Sequence, residues 1–356
     1  MKRPMAHDAA SVRPRAGQRP GSQGRKPPPP RRDSDRRTYA ALDLGTNNCR
    51  LLIARPSPEG FTIIDAFSRI VRLGEGLATS GRLSDAAIER AIAALSICAD
   101  KLKRRHVTLV RSVATEACRR ADNGRDFVER VWAETGIRLD VIGPGEEARL
   151  AVLGCQALLP AGEGPALIFD IGGGSTELVL CETIEDGTCR ILDWFSAPWG
   201  VVSLTEAEGG KRSDDAAQAL AAYHRMKSRV AGAFADFAAT LPKPEIAPRL
   251  LGTSGTVTTL ASLHLGLPAY DRRAVDGLVV PAEAMRDIST RLSGMTVAER
   301  STVPCIGNER ADLVVAGCAI LEAILDIWPA DRLGVADRGI REGILRSLIA
   351  RDAHIR

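Results

Sequence analysis

Apolar runs broken by short glycine-rich turns recur along this chain. The stretch YAALDLGTNNCRLLIA (residues 39–54) reads as strand, turn and strand, and LIFDIGGGSTELVL (residues 167–180) repeats that plan. Asp43 and Asp170 take equivalent places in the two stretches, 127 residues apart. Because this offset is about the size of one domain, the repeat predicts two similarly built domains, each opening with a strand, a turn and a returning strand.

Elsewhere the apolar positions recur every three or four residues, which is the spacing of amphipathic helices. SDAAIERAIAALSICADKLKRR opens with a helix-capping serine, Ser84, and GRDFVERVWAETG ends at Gly136. The apolar runs VTLVRSVA and RLGVA predict single strands. Strands that alternate with helices favour an α/β fold with mixed sheets. We therefore assign residues 38–160 to a first domain and residues 161–356 to a second domain with a helical C-terminal part.

Composition separates the first 37 residues from the rest of the chain. With eleven Lys/Arg, three Asp and no apolar cluster, this segment is predicted to be a disordered tail with a net charge of about +8. The remainder then holds 37 basic and 41 acidic residues, so the folded part is not a basic nucleic-acid binder. The tail would attract polyanions, or it is simply a solvated leader.

The sequence also indicates the cellular compartment and the chemical class of any bound metal ion. No apolar run is long enough to span a bilayer, and the tail lacks the apolar region of a secretory signal. Eight scattered cysteines without a C-x-x-C pair then read as reduced thiols, and we expect a cytoplasmic protein. Five dispersed histidines argue against a zinc site, so any metal should be a hard ion held by oxygen atoms.

Three glycine-containing turns are candidate phosphate sites: loop 1 (residues 45–48), loop 2 (residues 172–176) and loop 3 (residues 252–256). Glycines let the backbone present consecutive N–H groups as an anion-binding nest, and loop 3 adds the N-terminus of a predicted helix. The predicted phosphate-binding residues are Gly45, Thr46, Asn47, Asn48, Gly172, Gly173, Gly174, Ser175, Thr176, Gly252, Thr253, Ser254, Gly255 and Thr256. One such turn is commonly an ordinary hairpin, but three in one chain favour phosphate binding.

Acidic residues end the strands that lead into loops 1 and 2. A carboxylate at Asp43 or Asp170 would repel a bare phosphate, but it would hold a Mg²⁺ ion that bridges to the phosphate. Glu177 follows Asp170 by seven residues on the returning strand and could point at the same ion. The predicted metal ligands are therefore Asp43, Asp170 and Glu177, with Mn²⁺ as the alternative ion.

Hydrolysis of a phosphoanhydride also needs a group that orients and deprotonates water. Glu146 and Glu147 open a helix, and a like-charge pair raises the pKa of one member, which suits a general base. The alternative is that the two acids have no catalytic role and only stabilise the helix through its dipole. Arg119 or Arg120, directly after a strand, would clamp phosphate or would be an ordinary surface arginine.

Several stretches together resemble the exopolyphosphatase/guanosine pentaphosphate phosphohydrolase family. They are LDLGTNNCRLLIA, VRLGEGL, SVATEACRRADNG, GEEARLAVLG, LIFDIGGGSTELVL, LLGTSGTVTTLASL, ERADLVVAGCAIL and VADRGIREGIL, and they cover nearly all of residues 39–345. The resemblance implies two ribonuclease-H-like domains, as in actin and the acetate and sugar kinases, with the active site in the cleft between them. It also implies magnesium-dependent release of terminal orthophosphate from linear polyphosphate, or of the 5′ γ-phosphate from guanosine pentaphosphate.

The resemblance also implies roles for individual residues. By position, Glu147 matches the catalytic base and Arg119 the phosphate-binding arginine. Asp170 and Glu177 match the metal and phosphate acids, and Asp43 matches the acid of the first phosphate loop. Water held by Glu147 would attack in line, without a covalent intermediate. Family members often pair, and the apolar C-terminal helices would permit a homodimer.

The chain departs from the family pattern in three respects. IGPG precedes the acid pair where a Ser-Gly turn is usual, and Ser203 stands where an arginine is common. Longer members add helical domains that grip extended chains, whereas this sequence ends at Arg356, so we do not expect processive cleavage of long polyphosphate.

Three other functions stay open at this point. The first is an ATP-dependent kinase or actin-like ATPase, which shares the aspartate–glycine turns. The second is a non-catalytic sensor that binds polyphosphate or guanosine tetra- or pentaphosphate. The third is a phosphomonoesterase that acts on a nucleotide or a metabolite.

Overall fold

The computed structural model describes residues 37–58, 60–185, 187–209, 215–241 and 246–354. The predicted basic tail lies outside the described residues except for Arg37, whose guanidinium pairs with Asp352 at 2.7 Å. No helix in these described ranges combines the length and the apolar character needed to cross a bilayer.

The first sheet is built from β1 (Tyr39–Leu44), β2 (Asn48–Ser57), β3 (Gly60–Ile70), β4 (Leu109–Ala114) and β5 (Leu139–Val141). β1, β2 and β3 form an antiparallel meander, and β4 and β5 join in parallel on the other side of β1, which gives the order β3-β2-β1-β4-β5. The apolar pattern does not predict β3. This edge strand has no fully buried residue and so lacks the clean alternation of a half-buried strand.

The second sheet repeats this arrangement. It contains β6 (Ala166–Ile171), β7 (Thr176–Thr183), β8 (Cys189–Ala197), β9 (Arg249–Thr253), β10 (Val279–Pro281) and β11 (Arg332–Ala336). Its order is β10-β11-β9-β6-β7-β8, so from β8 to β11 it matches the first sheet strand for strand, and β10 is an antiparallel addition. Both sheets have the ribonuclease-H-like order, and the predicted α/β class with mixed sheets is confirmed.

Helices cover the sheets on both faces. In chain order they are α1 (Leu77–Ser80), α2 (Asp85–Arg104), α3 (Glu116–Arg120), α4 (Gly124–Thr135), α5 (Pro144–Cys155), α6 (Val201–Ala207), α7 (Ala216–Thr240), α8 (Gly255–His264), α9 (Arg272–Val275), α10 (Ala282–Ser293), α11 (Val297–Ser301), α12 (Val314–Ile327) and α13 (Ile340–His354). α2 and α4 form one core with the first sheet, and α7, α8, α10 and α12 form the largest core with the second. We call these two halves the first lobe and the second lobe.

Two helices are exchanged between the lobes. α13, at the end of the chain, packs on β1 and β2 of the first sheet, whereas α5 packs on β7 and β8 of the second. The predicted division at residue 160 stays a prediction, because these helices tie each lobe to the other. Most apolar residues of α12 are buried in the second lobe, and Ile344 and Leu345 of α13 are buried against the first sheet, whereas Leu348 and Ile349 are only partly buried. The homodimer stays a prediction.

Candidate active site

Loops 1 and 2 lie side by side at the junction of the lobes. Each is the turn of a hairpin, and each is closed by the same bond: the Gly45 N–H donates to the Asn48 carbonyl at 2.9 Å, and the Gly172 N–H to the Ser175 carbonyl at 3.0 Å. A β-carbon on Gly173 would lie 3.0 Å from the Thr46 β-carbon. The two turns therefore touch, and a side chain at position 173 would push them apart.

A cleft runs past both turns, with an open volume of about 1170 Å³ including solvent at its mouth. The predicted site residues that line it are Asp43, Gly45, Thr46, Asn47, Asn48, Glu147, Asp170, Gly172, Gly173, Gly174, Ser175, Glu177, Thr253, Ser254, Gly255 and Thr256. Three predicted residues stand outside this lining. Arg119 lies behind Glu147, the Thr176 hydroxyl donates to the Trp199 carbonyl, and Gly252 packs against Phe169.

The carbonyl groups of loop 2 are held from behind by α6. The Val201 N–H donates to the Gly172 carbonyl at 3.0 Å, the Val202 N–H to the Gly173 carbonyl at 2.8 Å, and the Ser203 hydroxyl to the Gly174 carbonyl at 2.9 Å. Because C=O and N–H point in opposite directions across a trans peptide, the N–H groups that follow these carbonyls turn towards the cleft. Loop 2 therefore has the consecutive inward-facing amides that suit an anion-binding nest.

Loop 1 is held in the same way by the segment that follows β3. The Gly74 N–H donates to the Thr46 carbonyl at 2.9 Å, and the Val71 and Arg72 N–H groups donate to the Asn47 carbonyl at 2.9 and 3.0 Å. The N–H groups of the next two peptides consequently turn towards the cleft. Both loops are thus pre-organised by donors from their own lobe, all of them main-chain N–H groups except the Ser203 hydroxyl.

The strand register brings the acids of the two hairpins into the cleft. In the strand register Asp43 of β1 lies opposite Arg50 of β2, and Asp170 of β6 lies opposite Glu177 of β7. Residues opposite each other in a sheet share one face, so the two side chains of each set lie on the same side. Burial raises the pKa of Asp170 to about 6, and the charge of Asp43 adds to this shift. Burial and the charge of Asp170 likewise raise the pKa of Glu177 to about 7. The cleft is therefore a place where negative charge accumulates.

Glu147 sits in the first turn of α5, 6% exposed, and its side chain reaches the cleft. Burial, together with the charge of Glu177, raises its pKa well above the usual range, and Arg119 opposes that shift. The Arg119 guanidinium donates to Glu147 at 2.7 Å, to Glu116 at 2.7 Å and to the Ile142 carbonyl at 2.8 Å. Arg119 thus holds the Glu147 carboxylate in place in this structure.

The oxygen donors of the cleft fit a hard divalent cation. Across the described residues, no three His, Cys, Asp or Glu side chains lie close enough to form a metal cage. Mg²⁺ does not require one, since it usually keeps several waters and binds through one or two carboxylates and a substrate phosphate. Asp43 and Asp170 face the same cleft, and the buried Asn47 Oδ1 has no hydrogen-bond partner. These donors suit Mg²⁺ or Mn²⁺ and do not suit Zn²⁺.

The structure adds arginines that the sequence interpretation missed. Arg50, Arg310 and Arg341 line the cleft, and within the described residues neither Arg50 nor Arg341 has a hydrogen-bonded or ion-paired partner. Burial is the main reason why the pKa of Arg341 is lowered. The repeat contained a signal for one of them: Arg50 follows Asp43 by seven residues, as Glu177 follows Asp170, and thus occupies the equivalent position of its hairpin.

Loop 3 completes the wall of the cleft at the N-terminus of α8. Ser254 has a φ of +112°, which is strained for a residue with a side chain, and its buried hydroxyl has no hydrogen-bond partner. A β-carbon on Gly255 would lie 3.7 Å from a guanidinium nitrogen of Arg310 and 3.9 Å from one of Arg50. Positive charge and the helix N-terminus therefore meet at loop 3.

Comparisons with known proteins agree on one family. The sequence profile described as the Ppx/GppA phosphatase family matches residues 52–352. The chain is 32% identical over 323 residues to a protein named exopolyphosphatase 2 from Mycobacterium tuberculosis, which covers 87% of this chain and 98% of that protein. A crystal structure of the Aquifex aeolicus family member is similar with a TM-score of 0.72 and 30% identity, covering 89% of this chain and 99% of that one. An exopolyphosphatase structure from Cytophaga hutchinsonii, at 23% identity and a TM-score of 0.74 over 88% of this chain and 98% of that one, supports the fold.

Proposed function

The chain belongs to the Ppx/GppA phosphatase family, and we propose that it is a phosphoanhydride hydrolase that releases terminal orthophosphate from linear inorganic polyphosphate. The observation that carries this proposal is the convergence of two amide-presenting turns and the buried Glu147 on one cleft. The relative named exopolyphosphatase 2, which spans almost the same length, supports the same substrate class.

Substrate binding uses the two kinds of positive potential in the cleft. The amides of loops 1 and 2 neutralise the oxygens of the terminal phosphoryl group. Arg50 and Arg310 lie next to loop 3, Arg341 lines the same cleft, and these three residues attract the phosphoryl groups that follow along the chain. A linear polyanion satisfies both regions at once, which a small phosphomonoester does not.

The reaction transfers a phosphoryl group to water. Glu147 accepts a proton from a water molecule, whose oxygen forms a bond to the terminal phosphorus while the anhydride P–O bond breaks and the shortened chain leaves with that electron pair. Arg119 keeps the Glu147 carboxylate directed at the cleft, and its resemblance-based role as a phosphate clamp stays a proposal. A divalent cation held by Asp43, Asp170 and Glu177 would supply charge neutralisation of the phosphate chain.

Hydrolysis of the 5′ γ-phosphate of guanosine pentaphosphate is the alternative, because its terminal phosphoanhydride presents the same groups to the loops. A non-catalytic sensor is a weaker candidate, since Glu147 is buried, positioned by Arg119 and open to the cleft, as a working base requires.

A phosphate-release assay with Mg²⁺ distinguishes these functions. The substrates are long polyphosphate, tripolyphosphate, guanosine pentaphosphate, ATP and p-nitrophenyl phosphate, each with and without EDTA. We expect release from both polyphosphates, little from ATP or the phosphomonoester, and loss of release with EDTA. Release from guanosine pentaphosphate alone would favour the alternative, and release from the phosphomonoester without the polyphosphates would overturn the proposal.

A further inference from the structure

The segment that supports loop 1 also crosses to the second lobe. Arg72 donates through its main-chain N–H to the Asn47 carbonyl of loop 1 at 3.0 Å. Its guanidinium reaches the second lobe and bonds both carboxylate oxygens of Asp312, at 2.9 and 3.2 Å, and the Glu309 carbonyl at 3.1 Å. One residue therefore joins the support of a phosphate loop to the opposite lobe.

The far end of this contact lies next to the wall of the cleft. Asp312 lies two residues after Arg310 and directly before Leu313, the N-cap of α12, and both of these neighbours line the cleft. A bidentate arginine–carboxylate pair fixes the orientation of its partners as well as their distance. Any movement of the second lobe relative to the first must consequently displace Arg72 or break this pair.

A second contact links the same segment to the support of loop 2. The Gly76 N–H donates to Glu206 Oε1 at 2.7 Å. Glu206 belongs to α6, the helix whose N-terminus holds the carbonyls of loop 2. Residues 71–76 thus connect the supports of both loops across the lobe boundary.

The backbone of Arg72 is strained in this arrangement. Its φ of +46° lies in the left-handed region that L residues rarely adopt. Arg90 anchors the same residue from the other side by donating to the Arg72 carbonyl at 3.2 Å. Glycine would adopt this backbone without strain. We therefore attribute the arginine at this position to the contacts that its guanidinium makes with the second lobe.

We propose that Arg72 is a positioning residue that couples the approach of the two lobes to the geometry of loop 1. When Asp312 binds the guanidinium, the main-chain N–H groups of residues 71–74 are held against the loop 1 carbonyls, and the loop amides face the substrate. When the lobes separate, this support loosens and the amides lose their alignment. The inference rests on the proposed function only for its catalytic consequence.

Hydrogen exchange tests the coupling without any substrate. Asp312→Ala changes the second lobe alone, yet the amides of Val71 and Gly74 in the first lobe should exchange about tenfold faster. Arg72→Gly should produce the same increase while relieving the backbone strain, and the double variant should exchange no faster than either single variant. Asp326→Ala is the control, because it breaks ion pairs that lie within the second lobe, with Arg286 at 2.7 Å and with Lys227 at 2.8 Å, and it should leave both amides unchanged.

Turnover provides the second readout. If the chain hydrolyses tripolyphosphate, Asp312→Ala should lower kcat by about tenfold with a smaller change in KM, and Arg72→Lys, which keeps one of the two bonds, should fall between Arg72→Gly and the parent protein. Unchanged exchange of the two amides in Asp312→Ala, or an equal effect of Asp326→Ala, would overturn the inference. Since exchange needs no hydrolysis, failure of the proposed function would leave that result interpretable.

Discussion

At the scale of single residues, the chemistry depends on where Glu147 is held. The two neighbouring acids of α5 have different arginine partners. Glu146 bonds Arg111 and Arg149 on the outer side, and these partners bring its pKa down to about 2. Glu147 turns inward, where burial raises its pKa and Arg119 limits that rise. The same dipeptide thus provides a surface ion pair and a candidate base.

Replacing Glu147 by Gln should lower phosphate release from tripolyphosphate by about 100-fold or more, because a neutral amide accepts no proton from water. Binding of tripolyphosphate, measured by calorimetry, should stay within a few-fold of the parent value, since the loop amides are untouched. Glu146→Gln is the matched control, and we expect it to retain most of the activity. Loss of binding together with turnover in Glu147→Gln would show a structural role instead.

Single residues also show what the sequence could and could not predict about the site. The repeat indicated Asp43, Asp170 and the loop residues, because glycine turns and strand-end acids are local features, and the structure places them on one cleft. Arg310 and Arg341 come from distant parts of the chain, and only the packing of α12 and α13 brings them there. The contact between Arg119 and Glu147 likewise depends on two elements that are 28 residues apart.

At the scale of elements, the contact between the two lobes depends on the close crossing of α5 and α13. A β-carbon on Gly154 would lie 1.9 Å from the Gly339 carbonyl oxygen, and one on Gly343 would lie 2.0 Å from that of Leu150. Glycine therefore allows the backbones to touch at two points. α5 carries Glu147, and Gly339 belongs to the cleft, so this crossing also fixes the position of the base.

Gly154→Ala should lower the free energy of unfolding by about 2–3 kcal/mol, because the added methyl group forces two backbones apart. Urea unfolding followed by circular dichroism measures the change. Gly232→Ala in α7 is the matched control: nothing lies within 4 Å of its added carbon, so better helix propensity should raise stability by about 0.5–1 kcal/mol. Equal stability of Gly154→Ala and the parent would show that the helices can separate freely.

Elements were predicted where the apolar period was strong. The Ser84 cap, the end of α4 before Gly136 and the central strands were readable, because capping residues and buried strands leave local signals. β3 and the three-residue β10 were missed because they are exposed or short. The exchange of α5 and α13 between the lobes was also missed, because an amphipathic period shows that a face is buried and does not show against which sheet.

At the scale of the whole molecule, the repeat explains the site. Five strands of each sheet share one order and place equivalent hairpins at the boundary of the lobes, where loop 1 and loop 2 meet. The two hairpins have nevertheless diverged in charge, since Arg50 stands in one where Glu177 stands in the other. One lobe therefore adds a cation to the cleft and the other an anion, which suits a polyanion bound with a divalent metal.

The most direct measurement is a crystal structure of the Glu147→Gln variant soaked with tripolyphosphate and Mg²⁺. The terminal phosphoryl group should accept hydrogen bonds from main-chain amides of both loop 1 and loop 2, with the next phosphoryl groups directed at Arg50 and loop 3. Side chain 147 should lie within one water molecule of the terminal phosphorus. A chain that contacts only one of the two loops, or a terminal phosphorus remote from position 147, would contradict the account.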